Sequence, residues 1–211
     1  MIDTKFIHYL SIFIIWLFTI SGITGILSPD YTDWFLSFTP FNLILTFIII
    51  IVNIKVFKWN TLLAFTIPFT LGFITEALGV NYGLIFGSYE YGANLGYKIF
   101  GVPLTICVNW ALLTAATADI AKTISKNIFI GAIIGAILMT GLDVIIEVSA
   151  PRFDFWEFET APVPMQNYIG WFCTAFVAHV LYQKIDIQTN RNISWHVFLS
   201  ILVFFTVFLF C

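Results

Sequence analysis

Seven stretches of about 20 mostly apolar residues divide this chain, near 6–28, 34–53, 61–80, 102–120, 127–147, 165–183 and 193–211, each of the length a helix needs to cross a bilayer. Hydrophobic residues fill 60% of the 211 positions and charged residues 10%, where a soluble domain carries roughly 25% charge. A water-soluble globule is thereby excluded. Only two connections, near 81–101 and 148–164, are long enough to do more than turn. The expectation is all-α: a single transmembrane domain over residues 1–211, polytopic, with about seven spanning helices and a Gly/Tyr-rich exterior loop between the third and fourth. The first apolar run exceeds the roughly 7–15 residues of a secretory signal and reads as an uncleaved helix. Lys5, Lys55, Lys58, Lys122, Lys126, Lys184 and Arg191 fall at the N-terminus and in the even-numbered loops, against Lys98 and Arg152 in the odd-numbered ones. This bias predicts an N-terminus inside and both long loops outside.

With so few charges, each position carries information. The net charge of −3 without a basic cluster gives no support to a nucleic-acid partner. Cys107, Cys173 and Cys211 lie in apolar runs without short spacings and read as buried thiols. An ionisable side chain at membrane depth is costly and is a functional candidate by default. Glu76 in the third span, and Asp143 and Glu147 in the fifth, fall at one depth near the outer side. Asp143 and Glu147, four apart, stack on one helix face as like charges that a shared proton would relieve. The plainer alternative makes them boundary residues bonded to water or loop amides. Asp119, three residues before Lys122, reads as an interfacial ion pair. His8 and His179 belong near the inner ends and His196 is isolated on the last span, so no metal site is expected. Phe198, Phe204, Phe205, Phe208 and Phe210 read most simply as lipid-facing, and Gly131 and Gly135 as a helix-packing pair.

The loop 81–101 and its flanks hold Gly72, Gly79, Gly83, Gly87, Gly92, Gly96 and Gly101, interleaved with Tyr82, Phe86, Tyr89, Glu90, Tyr91 and Tyr97. Irregular backbone at membrane depth survives only where protein buries it or a cavity hydrates it. The segment therefore reads as a re-entrant or lid-like element over a pocket, with an aromatic belt loop as the alternative. Proline opens the fourth helix at Pro103 and the sixth at Pro164. Asn109 and Trp110 on the fourth, and Asn167, Tyr168 and Trp171 on the sixth, fall on the exterior half beside the acids.

The run Glu76-Ala-Leu-Gly79, then Phe86-Gly-Ser-Tyr89-Glu-Tyr91-Gly92, Leu95-Gly96 and Gly101-Val-Pro-Leu104 ending at Trp110, resembles the carotenoid biosynthesis protein family. These are membrane carotenoid 1',2'-hydratases of bacteria and archaea, of the gamma-carotene and bisanhydrobacterioruberin hydratase type. The likeness continues through Asp143, Glu147, Trp156 and Pro164-Met-Gln-Asn167-Tyr168 to Gly170-Trp171, covering roughly residues 70–175. Where the family has proline directly after the acid, this chain has Val148, and Pro151 comes later.

The resemblance implies a multi-pass protein of the cytoplasmic membrane that adds water to the terminal double bond of an acyclic carotenoid. Protonation at C2 makes a tertiary cation at C1, which water captures. Such chemistry asks for a buried carboxylic acid, a group to orient water, aromatic faces for the cation and a greasy channel. It needs no cofactor; its partners are the carotenoid, water and membrane lipid. Glu76, Asp143 and Glu147 are the candidate acids and bases, with Glu76 or Asp143 as proton donor. Tyr82, Tyr89, Glu90, Tyr91, Asn109, Trp110, Asn167, Tyr168 and Trp171 are the candidate binding residues. A membrane carotenoid cyclase would quench the same cation by ring closure, and a small lipid or isoprenoid transporter would show paired repeats. A retinal photoreceptor fails because the seventh span has no lysine.

Overall fold

The computed structural model describes residues 4–185, 187 and 189–211. The chain is mostly helical. Among the described residues it forms α1 (Thr4–Ile26), α2 (Thr32–Ser37), α3 (Thr39–Val52), α4 (Trp59–Tyr82), α5 (Leu104–Ile124), α6 (Ile128–Ile146), α7 (Met165–Ile185) and α8 (Arg191–Val207). Each apolar stretch contains a helix, but the second is broken at Phe38. Pro40, the second residue of α3, has no N–H to donate to the carbonyl four residues back, and its ring crowds that carbonyl, so the helix restarts. Four helices, α1, α4, α5 and α6, are long and apolar enough to cross a membrane, while α3 and α8 are apolar but shorter. α7 has 21 residues, yet Gln166, Asn167, His179, Gln183 and Lys184 dilute its apolar character.

α5 is the central post. From Trp110 through Ala121 every residue is buried, and its alanines and threonines let α3, α4, α6, α7 and α8 approach closely. On α6, a β-carbon added at Gly135 would come within 2.4 Å of the His179 ring, and one at Gly131 within 2.6 Å of the Gln183 amide oxygen. The small pair is therefore where α7 lies against α6, as its spacing predicts.

The two long connections do not stay apart. β1 (Tyr89–Tyr91) pairs antiparallel with β4 (Trp156–Phe158), so that Tyr89 faces Phe158, Glu90 faces Glu157 and Tyr91 faces Trp156. A second small ladder joins β2 (Lys98–Ile99) to β3 (Val102–Pro103). The helical framework thus carries a β-ribbon at one end. Beyond it the loops interlock: the Gly92 amide donates to the Phe155 carbonyl (2.9 Å), the Ala93 amide to Asp154 Oδ2 (2.7 Å), and the Asn94 side chain to the Phe153 carbonyl (2.9 Å). Arg152 then ties this block to α8 by donating to the Phe208 carbonyl, a cation at a helix C-terminus.

Three expectations are corrected. Of the phenylalanines expected to face lipid, Phe198 and Phe208 are buried and Phe204 and Phe205 partly so, packed against Phe153 and Phe155; Phe210 is exposed. The interlocked loops supply the aromatic surface that draws them inward. Cys107 is buried, but Cys173 and Cys211 are exposed, the first of them on the outward face of α7. His196 is not isolated, since the Trp16 indole donates to its Nδ1 at 3.0 Å. Asp119, expected beside Lys122, does feel the charge of that lysine and in addition accepts from the Ser194 and Thr189 hydroxyls.

A β-carbon at Gly92 would stand 2.2 Å from the Asp154 carbonyl oxygen, backbone that cannot move without opening the interlock. We expect Gly92→Ala to destabilise the protein by about 1–3 kcal/mol, read as a lower thermal unfolding temperature in detergent with faster proteolysis within the two loops.

Candidate active site

Glu76 lies on the buried face of α4 between two glycines, Gly72 and Gly79, one turn to either side. Each glycine is a slot for a ring. A β-carbon at Gly72 would come within 2.4 Å of the Trp110 indole, and one at Gly79 within 2.8 Å of the Tyr89 ring. With those rings seated, Trp110 Nε1 donates to Glu76 Oε1 at 2.8 Å, and the Tyr91 hydroxyl donates to Oε2 at 2.7 Å together with that of Tyr89. Side chains alternate across a strand, so Tyr89 and Tyr91 share the inner face of β1 while Glu90 points out. Burial pushes both phenols well above their ordinary range, and the negative charge of Glu76 adds to the effect. They keep their protons and act as donors.

The other two acids are held differently. Asn167, at the start of α7 and buried, donates from its amide nitrogen to Asp143 Oδ2 (2.8 Å) and to Glu147 Oε1 (3.0 Å). Trp156 Nε1 donates to Glu147 Oε2 at 3.0 Å. Asp143 Oδ1 is buried and has no hydrogen-bond partner among the described residues. Glu76 therefore has three donors for two oxygens, whereas Asp143 keeps one oxygen unengaged.

Both sets of acids face one cavity of about 30 Å³, room for about one or two water molecules. Glu76, Tyr89, Tyr91, Asn109, Asp143, Glu147, Asn167 and Trp171 line it, with Trp156, Phe86, Phe158 and Met139. Trp110 lies behind, stacked on Trp171 at 4.4 Å between ring centroids and 16° between planes. A second cavity of about 120 Å³, mostly apolar, lies alongside between α1, α3, α5 and α8. The two share Ile106, Asn109, Leu113, Ile146 and Trp156 as a common wall.

Three candidates are not brought to the chamber. Tyr82 ends α4 and is 74% exposed. Glu90 is turned outward by the strand alternation. Tyr168 is half-buried and lines neither cavity. Conversely, sequence reasoning did not assign Trp156 as a donor to Glu147, nor Phe86, Phe158 and Met139 to the lining. A signal was present in two aromatic–acid–aromatic triplets, Tyr89-Glu-Tyr91 and Trp156-Glu-Phe158, which alternate like paired strands.

Apolar helices closed around carboxylates, indoles and phenols define a membrane protein with an acid chamber beside a hydrocarbon-lined cavity. Residues 38–211 match the family described as carotenoid biosynthesis protein, and the chain belongs to that family. A bisanhydrobacterioruberin hydratase of Haloarcula japonica is 26% identical over 118 residues, covering 51% of this chain and 39% of that protein. The matched region is thus well under half the length of that relative. No solved structure matches.

Removing the Asn167 amide leaves oxygens on both Asp143 and Glu147 without a donor. We expect Asn167→Leu to cost roughly 1–3 kcal/mol of stability, measured by unfolding in detergent. The loss should shrink when Asp143→Asn and Glu147→Gln are already present; a cost that does not shrink places the effect elsewhere.

Proposed function

We propose that this protein is a carotenoid hydratase, a lyase that adds water across the terminal double bond of an acyclic carotenoid to give a tertiary alcohol. The observation that carries the reading is the unengaged Asp143 oxygen in a water-sized chamber that shares a wall with an apolar cavity. An isoprenoid end lying in the apolar cavity would bring its terminal olefin to that wall at Asn109. Asp143, protonated, transfers its proton to C2 and the π electrons leave C1 as a tertiary cation. The chamber water attacks C1, and its surplus proton returns to the Asp143–Glu147 pair. Water is the only addition and no electrons are gained or lost.

The remaining residues take roles by geometry. Glu76, with three donors on its carboxylate, serves as the fixed anion whose field favours the cation. The Trp171 face, backed by Trp110, and the Tyr89 and Tyr91 rings add cation–π attraction. Asn109, on the shared wall, orients the water. A chamber with room for a water favours capture by water over ring closure, which would ask for a dry site filled by the folded chain.

The same reading makes all seven apolar stretches spans of the cytoplasmic membrane, with the N-terminus inside and the β-ribbon outside. Lys98 and Arg152, the two cations against the bias, both donate to backbone carbonyls, at Tyr91 and Phe208. Their presence outside is accounted for by loop structure.

Expression in a host that accumulates lycopene, followed by mass analysis of the pigments, tests the proposal: a mass gain of one water without a new ring is expected. Ring formation without that gain makes the protein a cyclase, and unchanged pigment with several acyclic substrates returns a transporter to consideration. In the same assay Asp143→Asn should lower hydration by about 10²–10⁴-fold, the range of a lost general acid, while the carotenoid still co-purifies. Full hydration by both Asp143→Asn and Glu76→Gln would remove the acid assignment.

A further inference from the structure

The hydratase reading raises a question of access. A hydrocarbon chain lying in the apolar cavity fills the space beside the acid chamber, so the second substrate must arrive by another way. A third cavity, of about 60 Å³, lies on the loop face between the two long connections. Its lining is of opposite character: Glu90, Asp154 and Glu157 contribute carboxylates, with Gly92 at its edge and the Tyr91 and Trp156 rings at its inner end. A surface of charged groups holds water and rejects hydrocarbon.

Tyr91 and Trp156 also line the acid chamber, and Trp156 borders the apolar cavity as well. These two rings face each other across the β-ribbon, edge to face at 6.2 Å between centroids. They form the partition between the acidic vestibule and the chamber. Tyr91 is buried and fixed by its bond to Glu76. Trp156 is half-buried and its indole N–H has one partner, Glu147. We propose that water enters the acid chamber from this loop-face vestibule, by a route separate from the one the hydrocarbon takes, with the Trp156 indole as the gate and its hydrogen bond to Glu147 as the latch. This assignment rests on the hydratase reading. Displacing the indole opens the partition beside Glu147, so an entering water meets first the carboxylate that is to take its proton. The substrate in the apolar cavity, touching the other side of the same ring, is placed to sense or set the gate.

Blocking the vestibule from outside tests this. In a full-length chain with Cys173→Ser and Cys211→Ser, a thiol introduced by Glu157→Cys, or separately by Glu90→Cys, is treated with an anionic, membrane-impermeant methanethiosulfonate reagent. Each sample is its own control before and after treatment. The expected result is loss of hydrated product with the acyclic carotenoid still co-purifying, and recovery when a reducing agent removes the adduct. The same treatment of Tyr97→Cys, on the same loop but off the vestibule, should leave hydration as it was. Hydration that continues with the adduct in place overturns the proposal, because water then enters elsewhere. Loss of bound carotenoid together with product also overturns it, because the vestibule is then on the hydrocarbon's path. Untreated chains that hydrate no acyclic carotenoid overturn the hydratase reading itself, a separate outcome.

Discussion

Glu76 carries a carboxylate into a bundle of apolar helices, and the arrangement depends on the three donors that meet it there. A charged group without partners at such a position is strongly disfavoured, so its surroundings are built to satisfy it. Trp110 comes from the central helix, and Tyr89 and Tyr91 come from a loop that reaches back over the end of the bundle. The loop is held in place by pairing with the other long connection, which in turn is tied to α8 through Arg152. The β-ribbon, the ring-sized slots at Gly72 and Gly79, and the loop interlock all converge on one buried carboxyl group. Unseating the ribbon would strip two of the three donors from Glu76 and remove the Tyr91 side of the chamber at once.

The acids divide into two kinds of environment within one small space. Around Glu76 the hydrogen bonding is saturated, which fixes the position of the carboxyl group. Around Asp143 and Glu147 it is sparse by comparison: one amide nitrogen serves both, one indole serves Glu147, and one Asp143 oxygen has no partner among the described residues. A saturated carboxylate is suited to electrostatic work and an unsaturated one to proton exchange. That contrast distinguishes the acids where their shared depth in the sequence did not.

What could be read from the chain followed from how local each signal is. Long apolar runs report helices directly, but the single span expected near 34–53 misses the break before Pro40 that separates α2 from α3. Glu76, Asp143, Glu147 and Asn167 stood out because polar groups are rare in such runs, and their convergence needed only a common depth. The pairing of Tyr89–Tyr91 with Trp156–Phe158 joins segments far apart in sequence, and no local pattern states which strand meets which. Trp156 consequently lacked a role, and Glu90 was grouped with the tyrosines it alternates with. Tyr82 lies away from the chamber because the final residue of α4 turns outward, and the burial of the α8 phenylalanines is not legible because an aromatic helix looks the same whether lipid or Phe153 covers it.

Glu90 and Glu157 stand directly opposite each other on the outer face of the ribbon, both exposed. Like charges in that register push the strands apart, and dissolved ions weaken the push, over a screening length of about 8 Å at physiological ionic strength. The flap that seats two phenols on a buried carboxyl group thereby carries a small repulsion on its outer face, one that the electrolyte around it weakens.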